Sequence, residues 1–424
     1  MRDTLKKNRF LILAVSGIFL LAVTLRAIPL GAFHLNNTDY TYRKILNADA
    51  YGYEKLARLY LEQGISGLLV KNDIVLRPGV PYTAFVTPGY PLFIFGVYSF
   101  IEKNPLTVIT LQILLDSIAA VLVFAIAKRS FGRLKVALIA GILYAVNPLA
   151  IMYSSSMYAE CFFNFFFCLE LLSFVCFLHD RTYRKAILTG ILLGLCIMIK
   201  PVAVYFFAVF TISMFCIFPS GKQQLKDTVR KGVLMLLVSL IVLLPWQMRN
   251  LLLFGHYALS FQQGRELLVD QVSVCQAWRQ DVELLEIKQT IQKPFEGIDD
   301  LFLRSREQGS AALAYIFKNP IAYMSCHIRG VANTFFVSKL FTEVSVSTPV
   351  SNAFISSQGF SLNDKETLSS LYLLFMILQY ILAFISVVSA CVNRKFLPHA
   401  VFFAITVLYF GNLPSVEGYS RYIY

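Results

Sequence analysis

Residues 9–29, RFLILAVSGIFLLAVTLRAIP, form an apolar run directly after the basic residues Lys6 and Lys7. An apolar helix of about 20 residues is long enough to cross the roughly 30 Å hydrocarbon core of a bilayer. No small-residue cleavage site follows the run. We therefore predict a retained signal-anchor helix with its N-terminus in the cytoplasm.

Eight further apolar runs follow along the chain. They lie at about 107–127, 136–153, 159–178, 185–199, 202–218, 232–247, 368–391 and 397–413. Hydrophobic residues make up 57% of the chain and charged residues only 15%, which excludes an ordinary soluble domain. The sequence predicts an all-α polytopic membrane protein with about 9–10 transmembrane helices.

The formal net charge of +13 lies almost entirely in short connectors between the apolar runs. These connectors are residues 1–10, 128–135, 179–185, 219–232 and 393–396. An excess of Lys and Arg in short loops is typical of the cytoplasmic side of a membrane protein. The positive charge is thus explained by membrane topology, and we predict no nucleic-acid partner.

Two longer polar segments have nearly balanced charges, and we predict that both are external. The chain then divides into a cytoplasmic N-terminus with the first transmembrane helix (1–29), a first external and catalytic loop (30–87), a transmembrane core (88–247), a second external loop (248–367), and C-terminal transmembrane helices with an external tail (368–424). Both loops are expected to carry amphipathic juxtamembrane helices.

Residues 88–103, PGYPLFIFGVYSFIEK, decide the topology of the first half. If all the basic connectors are cytoplasmic, this segment must be a re-entrant or surface-lying element that returns to the side of the membrane from which it left. The alternative is that 88–103 spans the membrane and residues 128–135 are external.

Residues 47–64 of the first external loop predict an amphipathic helix in the membrane interface. The apolar positions at helical spacing are Tyr53, Leu56, Ala57, Tyr60 and Leu61. Asp49 lies near the start of this helix, where the helix dipole stabilises a carboxylate. The alternative role of Asp49 is to cap the helix.

Charged residues at the predicted external ends of the apolar runs are the other candidates for functional-site residues. An acid at membrane depth such as Glu160 is a functional candidate, with a snorkelling structural role as the alternative. Lys200 is placed to hold an anionic group or to anchor the helix at the interface. Arg249, in PWQMRNLLLFG (245–255), is the first external cation after a run and is able to form bidentate bonds to a phosphate. Arg421 is a further external arginine.

Aromatic residues near these charges are candidates for binding substrate. Tyr51 and Tyr53 are placed to stack on a sugar, although an interfacial aromatic belt explains such residues equally. Tyr158, two residues before Glu160, belongs to the same group. The deeper acids Asp116 and Glu170 receive no assigned role.

The eight cysteines include no CxxC pair. Only Cys275 and Cys326 lie in a polar segment, and both belong to the second external loop. Because external compartments are oxidising, we predict that they form a disulfide.

Several motifs occur in a characteristic order. They are Asp49 with Tyr53, Pro88–Phe93, Asn147-Pro148, Tyr158-Ala-Glu160, Lys200-Pro201, Pro245–Gly255, Lys318-Asn-Pro320 and Ser420–Tyr422. Together they resemble the integral-membrane glycosyltransferases of the C superfold. The resemblance is to glycosyltransferase family 39, which includes protein O-mannosyltransferases and the bacterial lipid A aminoarabinose transferase. Family members continue beyond the last motif, so the resemblance implies a longer protein.

The resemblance implies a multi-pass enzyme of the plasma or inner membrane with its active site on the external or periplasmic side. It would transfer a hexose or pentose from a polyprenyl-phosphate donor to a glycolipid, glycan or protein acceptor, with inversion at the anomeric carbon. Asp49 would act as general base, while Arg249, Lys200 and Arg421 would hold the donor phosphate. The implied partners are membrane lipids, the donor and the acceptor.

No certain cofactor follows from the resemblance. Some members of the wider superfold use a divalent metal, but no acidic cluster surrounds Asp49, so we predict no metal ligand.

Two other functions fit parts of the sequence. A transporter or flippase of a lipid-linked or anionic solute would use Glu160, Glu170 and Asp116 as pathway residues. Transporters commonly contain two related halves, and this chain has no clear repeat. A non-catalytic assembly or sensor protein would be unaffected by a change at Asp49.

Overall fold

The computed structural model describes residues 2–36, 48–69, 84–217 and 222–336, together with Leu374. Within these ranges the chain is helical and contains no β-strand. The helices are α1 (Arg2–Asn36), α2 (Ala48–Gln63), α3 (Gly89–Phe100), α4 (Pro105–Phe131), α5 (Leu134–Ala145), α6 (Pro148–Ser154), α7 (Ala159–Asp180), α8 (Tyr183–Ile199), α9 (Phe206–Ile217), α10 (Lys222–Phe254), α11 (Gln263–Arg265), α12 (Ser273–Gln280), α13 (Leu284–Gln292), α14 (Leu301–Lys318) and α15 (Pro320–Phe336). The predicted spans at 368–391 and 397–413 lie outside the described residues.

Four of these helices are long and apolar enough to cross a membrane. They are Arg9–Gly31 within α1, Pro105–Phe131, Ala159–Asp180 and Lys226–Phe254 within α10. The prediction of an all-α polytopic membrane protein is confirmed, with four spans by length and composition, or five with the broken pair described next.

The predicted run at 136–153 folds as two helices, α5 and α6, with a bend of 49° between them. The bend lies at Asn147-Pro148, since proline cannot continue the hydrogen-bond pattern of the preceding helix. Asn147 is the N-cap of α6, because its Oδ1 accepts a hydrogen bond from the backbone N–H of Leu149 at 2.9 Å. The uniform apolar run does not reveal this break.

Helix α3 is the element for which the sequence left two topologies open. It contains 12 residues, equivalent to about 18 Å of helix, which is too short to cross the hydrocarbon core. The helix packs on α2 through edge-to-face contacts, with 4.9 Å between the rings of Tyr53 and Tyr90. These features favour the prediction that 88–103 returns to the side from which it left.

Helices α8 and α10 pack closely because two glycines face α10. A Cβ at Gly190 would lie 2.6 Å from the carbonyl oxygen of Met235, and a Cβ at Gly194 would lie 2.6 Å from Cβ of Val242. Small residues four positions apart are a common way for transmembrane helices to approach each other. This packing brings the ends of α8 and α10 to one end of the bundle.

A buried ion pair joins α1 to α4. Arg26 Nε lies 2.6 Å from Asp116 Oδ2, and neither side chain is exposed to solvent. The same guanidinium donates to the carbonyl oxygen of Ala145 at 2.9 Å, and the Tyr144 hydroxyl donates to Asp116 Oδ1 at 2.8 Å. Asp116, for which the sequence predicted no role, therefore links helices α1, α4 and α5.

Residues of three basic connectors lie close together at the end of the bundle where α7 ends and α8 begins. Arg129, in the last turn of α4, lies 3.3 Å from Asp180 at the end of α7, and Lys185 of α8 pairs with the same carboxylate. Tyr183 donates to Asp227 of α10 at 3.4 Å. This is the clustering that the predicted cytoplasmic face requires.

The described part of the predicted second external loop folds into a helical unit with a disulfide. Cys275 in α12 and Cys326 in α15 are bonded, with 5.5 Å between their Cα atoms, which confirms the predicted pairing. Gly264 allows α11 to pack closely against α14, because a Cβ there would overlap the Ser305 carbonyl of α14.

Candidate functional site

Glu160 and Lys200 form an ion pair at the bundle end opposite the basic connectors. Glu160 lies in the first turn of α7, and Lys200 directly follows the last residue of α8. Lys200 Nζ lies 2.7 Å from Glu160 Oε1, and the two side chains are 15% and 7% exposed. The sequence predicted both residues as site candidates, but only the structure pairs them.

A chain of buried polar groups lies beside this pair. The Tyr90 hydroxyl donates to Gln112 Oε1, and Gln112 Nε2 donates to the Ser156 carbonyl at 2.8 Å. Tyr90 and Gln112 are both fully buried. The sequence interpretation missed these residues, although a glutamine inside the apolar run 107–127 was an available signal, because polar groups at membrane depth need partners.

The segment before α3 is held against the end of α8. Thr87 donates through Oγ1 to the carbonyl oxygen of Ile199 at 3.2 Å. A Cβ at Gly89 would lie 2.6 Å from the Met198 carbonyl oxygen, so only glycine allows this approach. The Pro88–Phe93 motif is thereby placed next to Lys200-Pro201, although the two are far apart in sequence.

Helix α2 confirms the predicted amphipathic helix over 47–64. Its buried face includes Leu56, Ala57 and Tyr60. Asp49 lies in the first turn, and its side chain is outside the described part of the chain. Its catalytic assignment therefore remains a prediction.

The predicted aromatic substrate contacts differ in exposure. Tyr51 is 49% exposed, whereas Tyr158 is 6% exposed and packs on Tyr153 with 6.0 Å between ring centroids. Tyr53 is partly buried against Tyr90. Of the three rings, Tyr51 is the most accessible to a sugar.

Arg249, near the end of α10, is enclosed by protein and 6% exposed. Its Nε donates to the Leu68 carbonyl at 2.7 Å, so it contacts the 3₁₀ turn Gly64–Leu69 that follows α2. The guanidinium lies over Trp246 and Phe254, at 4.6 and 5.1 Å from the ring centroids. Burial raises the pKa of the Tyr60 hydroxyl above its ordinary value, and Arg249 opposes that rise.

The same end of α10 also contacts the start of the predicted second external loop. Asn250 Nδ2 donates to the carbonyls of Ala258 and Leu259 at 2.8 and 3.2 Å, and its Oδ1 accepts from Arg249 Nη1 at 2.7 Å. Trp246 Nε1 donates to the Leu259 carbonyl at 2.8 Å. The motif predicted to bind phosphate thus also contacts both of the loops that the sequence predicts to be external.

Two site predictions are not tested by these contacts. Arg421 lies outside the described residues. Among the residues that the structure does describe, no group of three or more His, Cys, Asp or Glu side chains is arranged to hold a metal ion. The prediction of no metal ligand remains a prediction.

An all-helical membrane fold with acidic and basic side chains at one end is compatible with several functions, and comparison with known proteins narrows the choice. Residues 85–248 match the family dolichyl-phosphate-mannose-protein mannosyltransferase. The predicted resemblance to membrane glycosyltransferases is confirmed for this part of the chain. A comparison with curated proteins finds no significant match.

Solved structures of an oligosaccharyltransferase from Archaeoglobus fulgidus align with this chain over most of its length. A complex with Zn and sulfate has 15% sequence identity and a TM-score of 0.47, and the match covers 96% of this chain and 53% of that one. The enzyme AglB with an inhibitory peptide and a dolichol-phosphate has 14% identity and a TM-score of 0.49, with coverage of 98% and 55%. This chain spans about half the length of these structures, and at this level of similarity they carry no argument about its chemistry.

Proposed function

We propose that this protein transfers a sugar from a polyprenyl-phosphate donor to an acceptor at the external face of the membrane. The observation that carries the proposal is the match of residues 85–248 to dolichyl-phosphate-mannose-protein mannosyltransferases. The matched segment contains both members of the Glu160–Lys200 pair and ends just before Arg249. The disulfide in the second loop supports an oxidising, external location for that loop.

In the proposed reaction, Asp49 removes a proton from the acceptor hydroxyl as the new glycosidic bond forms. The bond between the anomeric carbon and the phosphate oxygen breaks, and its electron pair leaves with the polyprenyl phosphate. A single displacement of this kind inverts the anomeric configuration. Asp49 is at the start of α2, where the helix dipole favours the carboxylate form of the base.

Lys200 is proposed to stabilise the charge on the departing phosphate. Its ammonium is paired with Glu160 at 2.7 Å. A donor phosphate would compete with Glu160 for this cation, which releases the carboxylate toward the substrate. Arg249 and Arg421 are proposed as further phosphate contacts.

The alternative of a transporter or flippase receives less support from the contacts. Asp116, one of its three pathway acids, is fully buried and bonded to Arg26 and Tyr144. A carboxylate with two such partners serves to join helices. Glu170 is buried, and neither of its carboxyl oxygens has a hydrogen-bond partner among the described residues, but one such acid does not form a pathway.

The experiment measures donor cleavage by the purified protein. The protein is reconstituted in vesicles that contain polyprenyl-phosphate mannose and a pool of glycolipid and peptide acceptors. We expect wild type to release polyprenyl phosphate and to form a mannosylated product. Asp49→Asn should fold and retain capping, but should transfer about 10²–10⁴-fold more slowly because it cannot accept a proton.

Glu62→Gln is the matched control, because it removes one carboxylate from an exposed position on the same helix. It should transfer at the wild-type rate. Movement of intact donor across the bilayer without cleavage would overturn the proposal in favour of a transporter. Full activity in Asp49→Asn would refute the general-base assignment.

A further inference from the structure

The end of α10 contains a polar junction that the phosphate-binding assignment of Arg249 does not explain. Asn250 is fully buried beside an interfacial arginine. Within the described residues, its side chain bonds to Arg249, the preceding residue of α10, and to the carbonyls of Ala258 and Leu259, which follow α10. A buried amide with its donors and acceptor satisfied fixes the relative position of the groups that it joins.

The orientation of the Asn250 amide follows from its partners. Carbonyl oxygens of Ala258 and Leu259 only accept hydrogen bonds, so Nδ2 must face them. The guanidinium of Arg249 only donates, so Oδ1 must face it at 2.7 Å. The amide therefore connects the second external loop to the guanidinium in one fixed direction.

Two more contacts fix the same guanidinium. Trp246 lies beneath its plane, and the indole Nε1 donates to the Leu259 carbonyl, which also accepts from Asn250. On the other side, Arg249 Nε donates to Leu68 in the turn after α2. The backbone N–H of Phe261 also donates to the Ala84 carbonyl at 3.3 Å, so the loops meet again beyond this junction.

We infer that Asn250 and Trp246 are positioning residues for donor recognition: they orient the Arg249 guanidinium toward the donor phosphate and couple it to residues 258–259 of the second external loop. This inference rests on the proposed function. Its consequence is that a change in residues 258–259 of the second loop alters donor affinity through Arg249.

Asn250→Asp tests the coupling with almost no change in shape. The carboxylate still accepts from Arg249 but cannot donate to the two loop carbonyls, and its charge competes with the phosphate for the guanidinium. We expect the KM for polyprenyl-phosphate mannose to rise about tenfold or more while kcat changes by less than about threefold, which is the pattern for lost ground-state binding. Hydrogen exchange in residues 256–262 should become faster.

Trp246→Phe is the second variant, and it keeps an aromatic ring under the guanidinium. It removes the bond from Nε1 to Leu259 together with part of the buried indole ring, and we expect a rise in donor KM of about fivefold or more, since one ordinary hydrogen bond is worth about that factor. Asn104→Asp is the matched control. It makes the same substitution at the N-cap of α4, where Asp caps as well as Asn, and should leave the donor KM unchanged.

The outcomes separate this inference from the proposed function. If wild type cleaves no donor, the proposed function fails, and exchange in residues 256–262 still tests the coupling. If wild type is active and both variants keep the wild-type donor KM, the inference alone is overturned. A fall in kcat at unchanged KM also overturns it, because positioning of a donor ligand would then not be the role of these residues.

Discussion

Arg26→Met is expected to destabilise the protein strongly, because it leaves Asp116 buried without its cation. The guanidinium donates to Asp116 at 2.6 Å, to the Ala145 carbonyl at 2.9 Å and to two further carbonyls at 3.3 and 3.4 Å. After its removal, the Tyr144 hydroxyl is the one remaining hydrogen-bond partner of the carboxylate within the described part of the chain. Breaking a fully buried pair from one side typically costs about 3–5 kcal/mol.

The double variant Arg26→Met with Asp116→Asn removes both charges and keeps an acceptor for Tyr144. The carbonyl of Ala145 loses its partner in both variants, at a cost of about 1–3 kcal/mol. We therefore expect the double variant to lose about 1–3 kcal/mol and to be more stable than the single variant. Arg129→Met, which breaks an exposed pair with Asp180, should cost about 0–1 kcal/mol.

The measurement is reversible unfolding in mixed detergent micelles, followed by circular dichroism. A single variant within about 1 kcal/mol of wild type would refute the structural role of the pair. A double variant at least as unstable as Arg26→Met would refute it as well. Sugar transfer by the folded double variant should be retained, whereas a pathway role for Asp116 predicts its loss.

Three further changes test other parts of the structure. Arg249→Lys should lose more than about tenfold in transfer despite the retained charge, since an ammonium cannot bond Leu68 and Asn250 in the same forked geometry; near-normal turnover would leave it only an anchoring role. Gly194→Ala should destabilise the bundle by about 1–3 kcal/mol through overlap with α10, whereas Gly96→Ala, with open space around it inside α3, should stabilise by up to about 1 kcal/mol in the same unfolding assay. Cys326→Ser should make the loop unit α11–α15 sensitive to protease by removing a constraint worth about 2–5 kcal/mol; unchanged digestion would contradict that stabilisation.

Local patterns in the sequence were sufficient for the class of fold and for several elements. Long apolar runs predict membrane helices because each spanning helix must satisfy its own backbone groups. Apolar spacing placed the amphipathic helix at 47–64, and the structure has it at Ala48–Gln63. The Cys275–Cys326 disulfide could be predicted from the sequence because only two cysteines lie in polar segments.

The contacts that organise the candidate site depend on how helices are rotated and how far each extends. Asp116 and Glu160 look alike in sequence as acids in apolar surroundings, yet one is bonded to Arg26 and the other to Lys200. Their partners are 90 and 40 residues away, and no local pattern encodes such a distance. The break at Asn147 likewise divides a run that appears continuous.

The sequence by itself determined a helical membrane protein with charged groups at the ends of its spans, because hydrophobicity, helix period and charge bias are properties of neighbouring residues. Only the tertiary structure decided that Glu160 neutralises Lys200, and that Asn250 joins Arg249 to the second external loop. The physical reason is that hydrogen bonds and ion pairs form only over a few ångströms in specific directions. Helix packing sets those distances and directions, and here it follows from close approaches such as that of Gly190 and Gly194 to α10.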